Sequence, residues 1–218
     1  MSIITMATTK GGAGKTTVAQ MIIGAVHNLG YSIGVVDTDE NQTLSNWLSS
    51  TTNMAIDHRV VLEESKVVDT AQKLSRKHDM VIIDTPGAQS QATVFAIGCA
   101  DLVIVPLQLS KADVMQAQKT HRLVQSTAHM TGRDIPVRSL FTDYTPKTKI
   151  AKKVRQHVKE LGLPVFNTRM HHLVAYKELT FSGKIPKKGT AGAQGQLLVQ
   201  EIAELGMMPF MQELKRAS

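Results

Sequence analysis

The sequence is poor in cysteine, and this scarcity excludes several kinds of protein. Cys99 is the single cysteine, so the chain can form neither an internal disulfide nor a four-cysteine metal site. An iron–sulfur cluster shared by two chains needs two thiolates from each, which excludes an electron-transfer protein built around such a cluster. We expect the protein to work in a reducing compartment.

Long apolar runs are absent as well. No run approaches the ~20 residues that span a bilayer, and the N-terminus has no basic region followed by a long apolar core. We therefore expect a cytoplasmic protein with neither a membrane span nor a secretory signal. A chain of 218 residues is long enough for one α/β domain, and we predict a single domain over residues 1–218.

Acidic residues are scarce late in the chain. The formal charge is +7, and between Lys147 and Lys188 only Glu160 and Glu178 oppose a series of lysines and arginines. This imbalance favours an anionic macromolecular partner, with a solvated basic face as the alternative. Four cations within two helical turns are the candidates for contact with DNA phosphates: Lys149, Lys152, Lys153 and Arg155.

Apolar runs alternate with segments of helical spacing. The runs predict buried strands at 3–7, 32–36, 80–83, 102–107, 137–141 and 164–166, with a further edge strand at 55–62. The helical segments lie at 15–29, 43–50, 66–77, 89–98, 111–130, 148–161, 190–205 and 208–216. This alternation predicts an α/β fold with a mostly parallel central sheet flanked by helices.

The most specific motif is a glycine-rich loop. Residues 10–17 read Lys-Gly-Gly-Ala-Gly-Lys-Thr-Thr, after an apolar run and before a helical segment. In the pattern G-x-x-x-x-G-K-[ST], backbone N–H groups close around phosphate oxygens, the lysine neutralises them and the hydroxyl binds Mg²⁺. The loop predicts a nucleotide site at a helix N-terminus, formed by Gly11, Gly12, Ala13, Gly14, Lys15, Thr16 and Thr17.

Lys10 departs from this pattern because it stands where the first glycine is usual. A second lysine at the mouth of the loop is too far round it to lie on its own nucleotide. We therefore expect Lys10 to reach a phosphate held by another subunit. The motif predicts a nucleotide-dependent dimer.

Three carboxylates follow predicted strands at the edge that carries the loop, where ligands of parallel sheets bind. Thr16 and Asp84 would hold Mg²⁺, and Asp37 would support the magnesium shell. Asp39 would orient or deprotonate the attacking water. Capping of the helix at 43–50 is the alternative for Asp37 and Asp39.

A Pro-Gly pair, Pro86 and Gly87, follows Asp84. Its backbone could approach the γ-phosphate and distinguish ATP from ADP, as switch loops do. An ordinary strand-to-helix turn is the alternative.

These motifs resemble the ParA/MinD group of deviant Walker ATPases. The resemblance rests on Lys10 to Thr17, on Asp37-x-Asp39 with Gln42, and on Asp84-Thr85-Pro86-Gly87, and it is good over the first half of the chain. It implies a P-loop NTPase fold of the deviant Walker (SIMIBI) type, with ATP and Mg²⁺ as cofactors. In that group two ATP-bound monomers form a sandwich. The residue matching Lys10 contacts the partner's nucleotide, and the residue matching Asp39 serves hydrolysis.

The short chain is similar to the small partition ATPases that lack an N-terminal DNA-binding domain. This similarity implies slow, partner-stimulated ATP hydrolysis and an ATP-dependent homodimer on nonspecific, nucleoid DNA. It also implies a centromere-binding, ParB-like adaptor and a role in segregating plasmid or chromosomal DNA. An accessory ATPase of conjugation or the relaxosome is one alternative.

A membrane-cycling, MinD-like ATPase is the other alternative. It would need an amphipathic C-terminal helix, for which the chain offers Met207, Met208, Phe210, Met211 and Leu214, followed by Lys215 and Arg216. The segment is short and includes Glu213, so core packing or a dimer contact is the favoured use of these residues.

The chain departs from the group at two places, Asp143 and Glu40. Asp143 stands where the adenine-side strand commonly ends in asparagine, and we expect it to accept a hydrogen bond from the adenine amino group. The loop 183–188, with Pro186, would close over the base, with a surface basic turn as the alternative. Glu40 replaces the usual proline after Asp39, which leaves the geometry of that loop open.

Overall fold

The computed structural model describes residues 1–87 and 90–208. Its seven strands form one parallel sheet in the order β3-β2-β4-β1-β5-β6-β7. The strands are β1 Ser2–Met6, β2 Ile33–Asp37, β3 Asp57–Val60, β4 Met80–Asp84, β5 Leu102–Leu107, β6 Val137–Tyr144 and β7 Val165–His171. The prediction of a mostly parallel central sheet in an α/β fold is confirmed.

Helices follow nearly every strand. They are α1 Lys15–Asn28, α2 Thr43–Ser50, α3 Val67–Ser75, α4 Gln91–Cys99, α5 Lys111–Thr131, α6 Lys149–Glu160, α7 Val174–Ser182 and α8 Gly189–Glu204, and a single 3-10 turn at Glu64–Lys66 precedes α3. No helix in these two described ranges is long and apolar enough to cross a membrane.

The core lies on both faces of the sheet, which makes a three-layer domain. Every residue of β1, β2, β4 and β5 is buried, which explains their continuous apolar runs. One face packs against α1, α2, α7 and α8, and the other packs against α3, α4, α5 and α6. This arrangement leaves the carboxyl ends of the central strands open for a ligand.

The late part of the chain differs from the prediction. Strand β7 runs to His171 and was predicted only at 164–166, because as an edge strand it alternates buried with exposed residues and lacks a continuous apolar run. Helix α7 was missed because it buries only Tyr176 and Leu179, which gives little helical periodicity.

The C-terminal apolar face falls partly outside the described residues. The predicted helix at 208–216 lies there almost entirely, with Phe210, Met211, Leu214, Lys215 and Arg216. Met208 is 2% exposed and belongs to the core beside α1 and α8, and the main chain of Met207 accepts a hydrogen bond from Ser2 Oγ at 2.5 Å. Met208 therefore packs in the core, which is one of the two uses favoured for this segment.

Candidate nucleotide site

The glycine-rich loop joins the central strand β1 to α1, at the carboxyl edge of the sheet. Gly12 and Gly14 have φ values of +74° and +96°, a region that favours glycine. Two side chains from later in the chain hold the loop: Gln108 Nε2, directly after β5, donates to Gly12 O at 3.1 Å, and Thr142 Oγ1, on β6, donates to Ala13 O at 2.9 Å. Hydrogen bonds within the protein therefore fix the conformation of the loop.

Lys15 is buried at this loop, with 7% of its surface exposed. Burial lowers the pKa of its ammonium group, and the negative charges of Asp84 and Asp39 oppose that shift. A buried cation at a helix N-terminus favours an anion of high charge, so the position suits a phosphate group.

Thr16 and Asp84 form the predicted metal pair. Thr16 Oγ1 donates to Asp84 Oδ2 at 2.7 Å, and Asp84 is 2% exposed. The pKa of Asp84 is raised to about 7, mainly by burial; the Thr16 hydrogen bond opposes this shift, and the Asp37 charge adds to it. Among the described residues Asp84 Oδ1 has no hydrogen-bond partner. A hydroxyl beside a carboxylate with a free oxygen fits Mg²⁺, which takes few protein ligands and completes its shell with phosphates and water.

Asp37 lies beside Asp84 in the register of β2 and β4, but its oxygens are already in use. Asp37 Oδ2 accepts from the N–H of Ser45 at 2.9 Å, and Oδ1 accepts from the N–H of Asp39 at 3.1 Å. Burial raises the pKa of Asp37 and these hydrogen bonds lower it. Asp37 thus bonds to the first turn of α2, which is the contact that the capping alternative expects, and its support of the magnesium shell stays a prediction.

Asp39 lies on the loop after β2 and is half-buried. Its Oδ1 accepts from the main-chain N–H and the side-chain amide of Asn41, at 2.9 and 2.8 Å. These bonds form a local turn that leaves Oδ2 without a protein partner among the described residues. Asp39 is close enough for its charge to act on both Lys15 and Asp84.

Lys10 is held within its own chain. Its Nζ lies 2.7 Å from Asp113 Oδ1, in the first turn of α5, and the Lys10 side chain is 41% exposed. Ser110 caps that helix and also bonds to Asp113, which is 5% exposed. Lys10 must leave this pairing before it can contact a nucleotide on another subunit.

The loop after β4 packs directly on the glycine-rich loop. A Cβ atom at Gly87 would lie 2.7 Å from Gly11 Cα, closer than such atoms approach. Glycine is therefore required at position 87 for the two backbones to touch. The Pro-Gly segment thus meets the loop itself.

A cavity of 250 Å³ continues from the loop toward the far strands. Gly12, Gly14 and Thr17 line one side, and Asp143, His172 and Tyr176 are among the residues on the other. Asp143 has a φ of +51° at an irregularity of the β6–β7 pairing, and its carboxylate accepts a hydrogen bond from His172 Nδ1. The bulge places Asp143 in the lining of this cavity, at the end that we call the base end because the prediction puts adenine there.

Pro186 is not among the residues that line this cavity. It lines a separate cavity with Met21 and Ala25, in the second half of α1. The reason is the packing of the loop on α1, since Ile185 fills the space above Gly24.

Four residues at the site escaped the sequence reasoning: Gln108, Thr142, His172 and Tyr176. Three of them share one signal, because Gln108 and His172 directly follow β5 and β7, and Thr142 stands near the end of β6. The rule that found Asp37 and Asp84, polar residues at strand ends, could have found these as well. Tyr176 depended on α7, which was not predicted.

The four basic candidates lie in the first two turns of α6. Lys149, Lys152, Lys153 and Arg155 are all exposed, and none forms an ion pair within residues 1–87 and 90–208. Ala151, Val154 and Val158 form the buried side of the helix. Because α6 follows β6, its N-terminus lies at the same edge of the sheet as the glycine-rich loop.

Comparisons with known proteins agree with this geometry. The family model described as VirC1 protein matches residues 1–195. Protein virC1 of Rhizobium radiobacter is 26% identical over 192 residues, which cover 85% of this chain and 83% of that protein. Protein ParA of Rhizobium radiobacter is 25% identical over 222 residues, covering 100% and 99% of the two chains.

Solved structures share the fold. The ATP complex of a Cyanothece McdA variant superposes with a TM-score of 0.78 at 17% identity, covering 94% of this chain and 96% of that one. The Mg-ADP complex of MinD from Pyrococcus horikoshii OT3 gives 0.72 at 16% identity, covering 94% and 97%. The fold is therefore that of the deviant Walker P-loop NTPases, and the resemblance to the ParA/MinD group is confirmed.

Proposed function

The chain belongs to the VirC1 family, and from this membership we propose that it is a ParA-like ATPase that dimerises with ATP and binds DNA without sequence preference. The observation that carries the proposal is the Thr16–Asp84 pair, whose oxygens lie 2.7 Å apart at the glycine-rich loop, with Asp84 and the neighbouring Lys15 both buried. The solved relatives described above hold ATP or Mg-ADP, which supports ATP and Mg²⁺ as the ligands of this site.

The residues of the loop would bind and orient the triphosphate. Backbone N–H groups of residues 11–17 and the Lys15 ammonium would neutralise phosphate oxygens, and the burial of Lys15 makes its contact stronger than in water. Mg²⁺, held by Thr16 and Asp84, would supply further charge neutralisation at the phosphates. Phosphoryl transfer needs mainly positioning and electrostatic stabilisation, which these groups offer.

Asp39 would position the water that attacks the γ-phosphate. Its Oδ1 is fixed by Asn41, and Oδ2 has no protein partner among the described residues. A carboxylate on a loop beside Lys15 and Asp84 can accept a proton from that water or orient it. This role keeps the predicted assignment, and the turn around Asn41 sets the position of Asp39.

Lys10 would join two subunits. It would exchange Asp113 for a phosphate bound by the partner, so the dimer would form only when nucleotide is present. The exposed side of α6 would then bind DNA. Its first turn has no acidic residue, and its lysines oppose the helix dipole, which favours acidic groups at that end. An unfavourable arrangement of this kind supports a functional reason for the cations.

Segregation of plasmid or chromosomal DNA, with a ParB-like adaptor that stimulates hydrolysis, is the process we propose for this cycle. A second candidate is an accessory role in conjugative plasmid processing. The family match favours it, because the model that matches residues 1–195 is that of VirC1. The switch would be the same in both processes, and the partner would differ.

The decisive experiment is DNA retention measured with ATP, with ADP and without nucleotide. We expect retention only with ATP, and a steep fall in retention as salt rises, because phosphate contacts release counterions. Asp39→Ala should trap the ATP-bound dimer on DNA, while its hydrolysis stops. Retention that ignores nucleotide or salt contradicts the DNA-binding proposal, and unchanged turnover removes Asp39 from the mechanism.

A further inference from the structure

The two edge strands of the sheet differ in whether their outward backbone N–H groups are hydrogen-bonded. At β7 the outer N–H groups are paired with side chains of α8. The N–H groups of Asn167 and Thr168 donate to the Glu201 carboxylate at 2.7 and 2.6 Å, and that of His171 donates to Gln194 Oε1 at 3.1 Å. This edge is closed to another strand.

The β3 edge is open. Val36 pairs with Arg59, and the N–H of Val61 donates to Asp37 O at 2.9 Å, so the odd-numbered residues of this segment bond to β2. Because backbone groups alternate in direction along a strand, Val60 and Leu62 direct theirs away from the sheet. Across residues 1–87 and 90–208, nothing accepts a hydrogen bond from the N–H of Val60 or of Leu62.

A groove of 480 Å³ runs between this edge and α3. Apolar side chains line its strand side, where Val60 is 40% and Leu62 is 52% exposed. Four cations line it as well: Arg59, Lys66, Lys73 and Lys77. Glu63 is the one carboxylate among its lining residues.

Two of these four cations are already in ion pairs, and the other two are exposed. Arg59 pairs with Asp57, and Lys66 pairs with Glu63 at 2.5 Å. Lys73 and Lys77 are exposed and form no ion pair with any residue that the structure describes. Four residues apart on one side of α3 and the turn after it, they face the open strand across the groove.

We propose that this groove binds an extended acidic segment of a partner protein, which adds a strand to β3. Main-chain hydrogen bonds would pair with Val60 and Leu62, apolar side chains would cover these two residues, and carboxylates would meet Lys73 and Lys77. Nucleic acid would use the cations alone and would leave the open backbone and the two exposed apolar side chains uncovered. The three features together therefore favour a peptide.

Short, charged edge strands also protect a sheet against self-association. That role explains the lysines, but it needs neither an apolar groove nor exposed Val60 and Leu62. The proposal is independent of nucleotide chemistry, because the groove contains none of the residues of the nucleotide site.

The test uses the full chain without nucleotide and a short, end-blocked, fluorescent peptide of alternating Glu and Val. Fluorescence anisotropy should detect saturable binding that weakens with salt. The same peptide N-methylated at every second residue, on the edge that would pair with β3, keeps its charge but cannot form the ladder, and it should not bind. Lys73→Glu with Lys77→Glu should weaken binding at least about tenfold, because two attractive contacts become repulsive.

A matched double variant on α5, Lys119→Glu with Arg122→Glu, makes the same change in net charge away from the groove and should bind the peptide like the unmodified protein. Amide NMR signals of Val60 and Leu62 should shift on titration, which checks the position without any substitution.

Three results would overturn the proposal. They are no binding, equal binding of the N-methylated peptide, or full displacement by a short DNA duplex whose own binding depends on Lys73 and Lys77. Equal binding of the N-methylated peptide, or displacement by DNA, would identify the groove as a general anion-binding surface. No binding would mean that the charged edge only prevents self-association.

Discussion

The phosphate end and the base end of the candidate site are built in opposite ways. At the phosphate end, Lys15 and Asp84 are buried, at 7% and 2% exposure, and act on each other's charge. At the base end, the side chains of Asp143 and His172 are 53% and 59% exposed and bond to each other. Burial makes a charged group costly unless a ligand meets it, whereas an exposed pair is stable by itself. The phosphate end is therefore specialised for its ligand, and the base end is tolerant of change.

The largest effect should come from Lys15→Ala. The variant removes the buried cation that faces the phosphates, and we expect ATP affinity to fall at least about 100-fold, which calorimetric titration would measure. Lys10→Ala removes a lysine from the same loop and should leave ATP binding by the monomer intact. Equal losses of ATP affinity in the two variants would contradict this expectation, because they would show that the buried position of Lys15 gives it no special role in binding phosphate.

Lys10→Ala should have its effect on assembly. We expect loss of ATP-dependent dimerisation, measured by sedimentation velocity with ATP and with ADP. Asp113→Asn removes the carboxylate that Lys10 must leave, and it should allow dimerisation at lower ATP concentration. Normal dimerisation of Lys10→Ala would refute the contact in trans.

Asp84→Asn should separate stability from function at the phosphate end. The pKa of Asp84 is raised from 3.8 to about 7, so between these pH values the folded state keeps a proton that the unfolded state has lost. The free energy of unfolding therefore falls as pH rises through this window in the absence of Mg²⁺. The variant should remove that slope, raise stability at pH 8 by up to about 4 kcal/mol and abolish Mg²⁺ binding.

Thermal unfolding across this pH range, with and without Mg²⁺, measures both consequences of Asp84→Asn. Added Mg²⁺ should stabilise the unmodified protein and leave the variant unchanged, because it binds only the ionised carboxylate. A variant that is less stable than the unmodified protein at pH 8 would contradict the assignment of Asp84 as a buried carboxyl awaiting a cation.

The smallest effect belongs to the base end. Asp143→Asn keeps an acceptor for the adenine amino group and removes a charge that solvent already screens, so ATP affinity should change by less than about tenfold. Titration with ATP measures it, and His172→Ala is the matched change in the same exposed pair. A loss as large as that of Lys15→Ala would show that the base end is as specialised as the phosphate end.

The same contrast decides how much of the site could be predicted. The loop 10–17 is contiguous, Asp37 and Asp84 directly follow apolar runs, and Asp39 comes two residues after Asp37, so local sequence places them all at one edge. The base end combines residues of β6, β7 and α7. Its geometry depends on the irregular pairing near Asp143 and on a helix with only two buried residues, neither of which leaves a strong periodic signal.

The fold follows the same rule. The four fully buried central strands were predicted because burial on both faces makes their sequences continuously apolar. Pro186 could not be placed from the sequence, because its position depends on how Ile185 packs over Gly24. Contacts between segments far apart in sequence are not encoded in the local pattern of either.

The contact of Gly87 with Gly11 restricts how this protein can vary. The two backbones share one boundary, and any residue with a Cβ atom at position 87 would force them apart. A mutation there cannot be compensated by a smaller neighbour, because glycine already stands on the other side. A library that randomises position 87 should therefore return glycine alone among the variants that keep both loops in place.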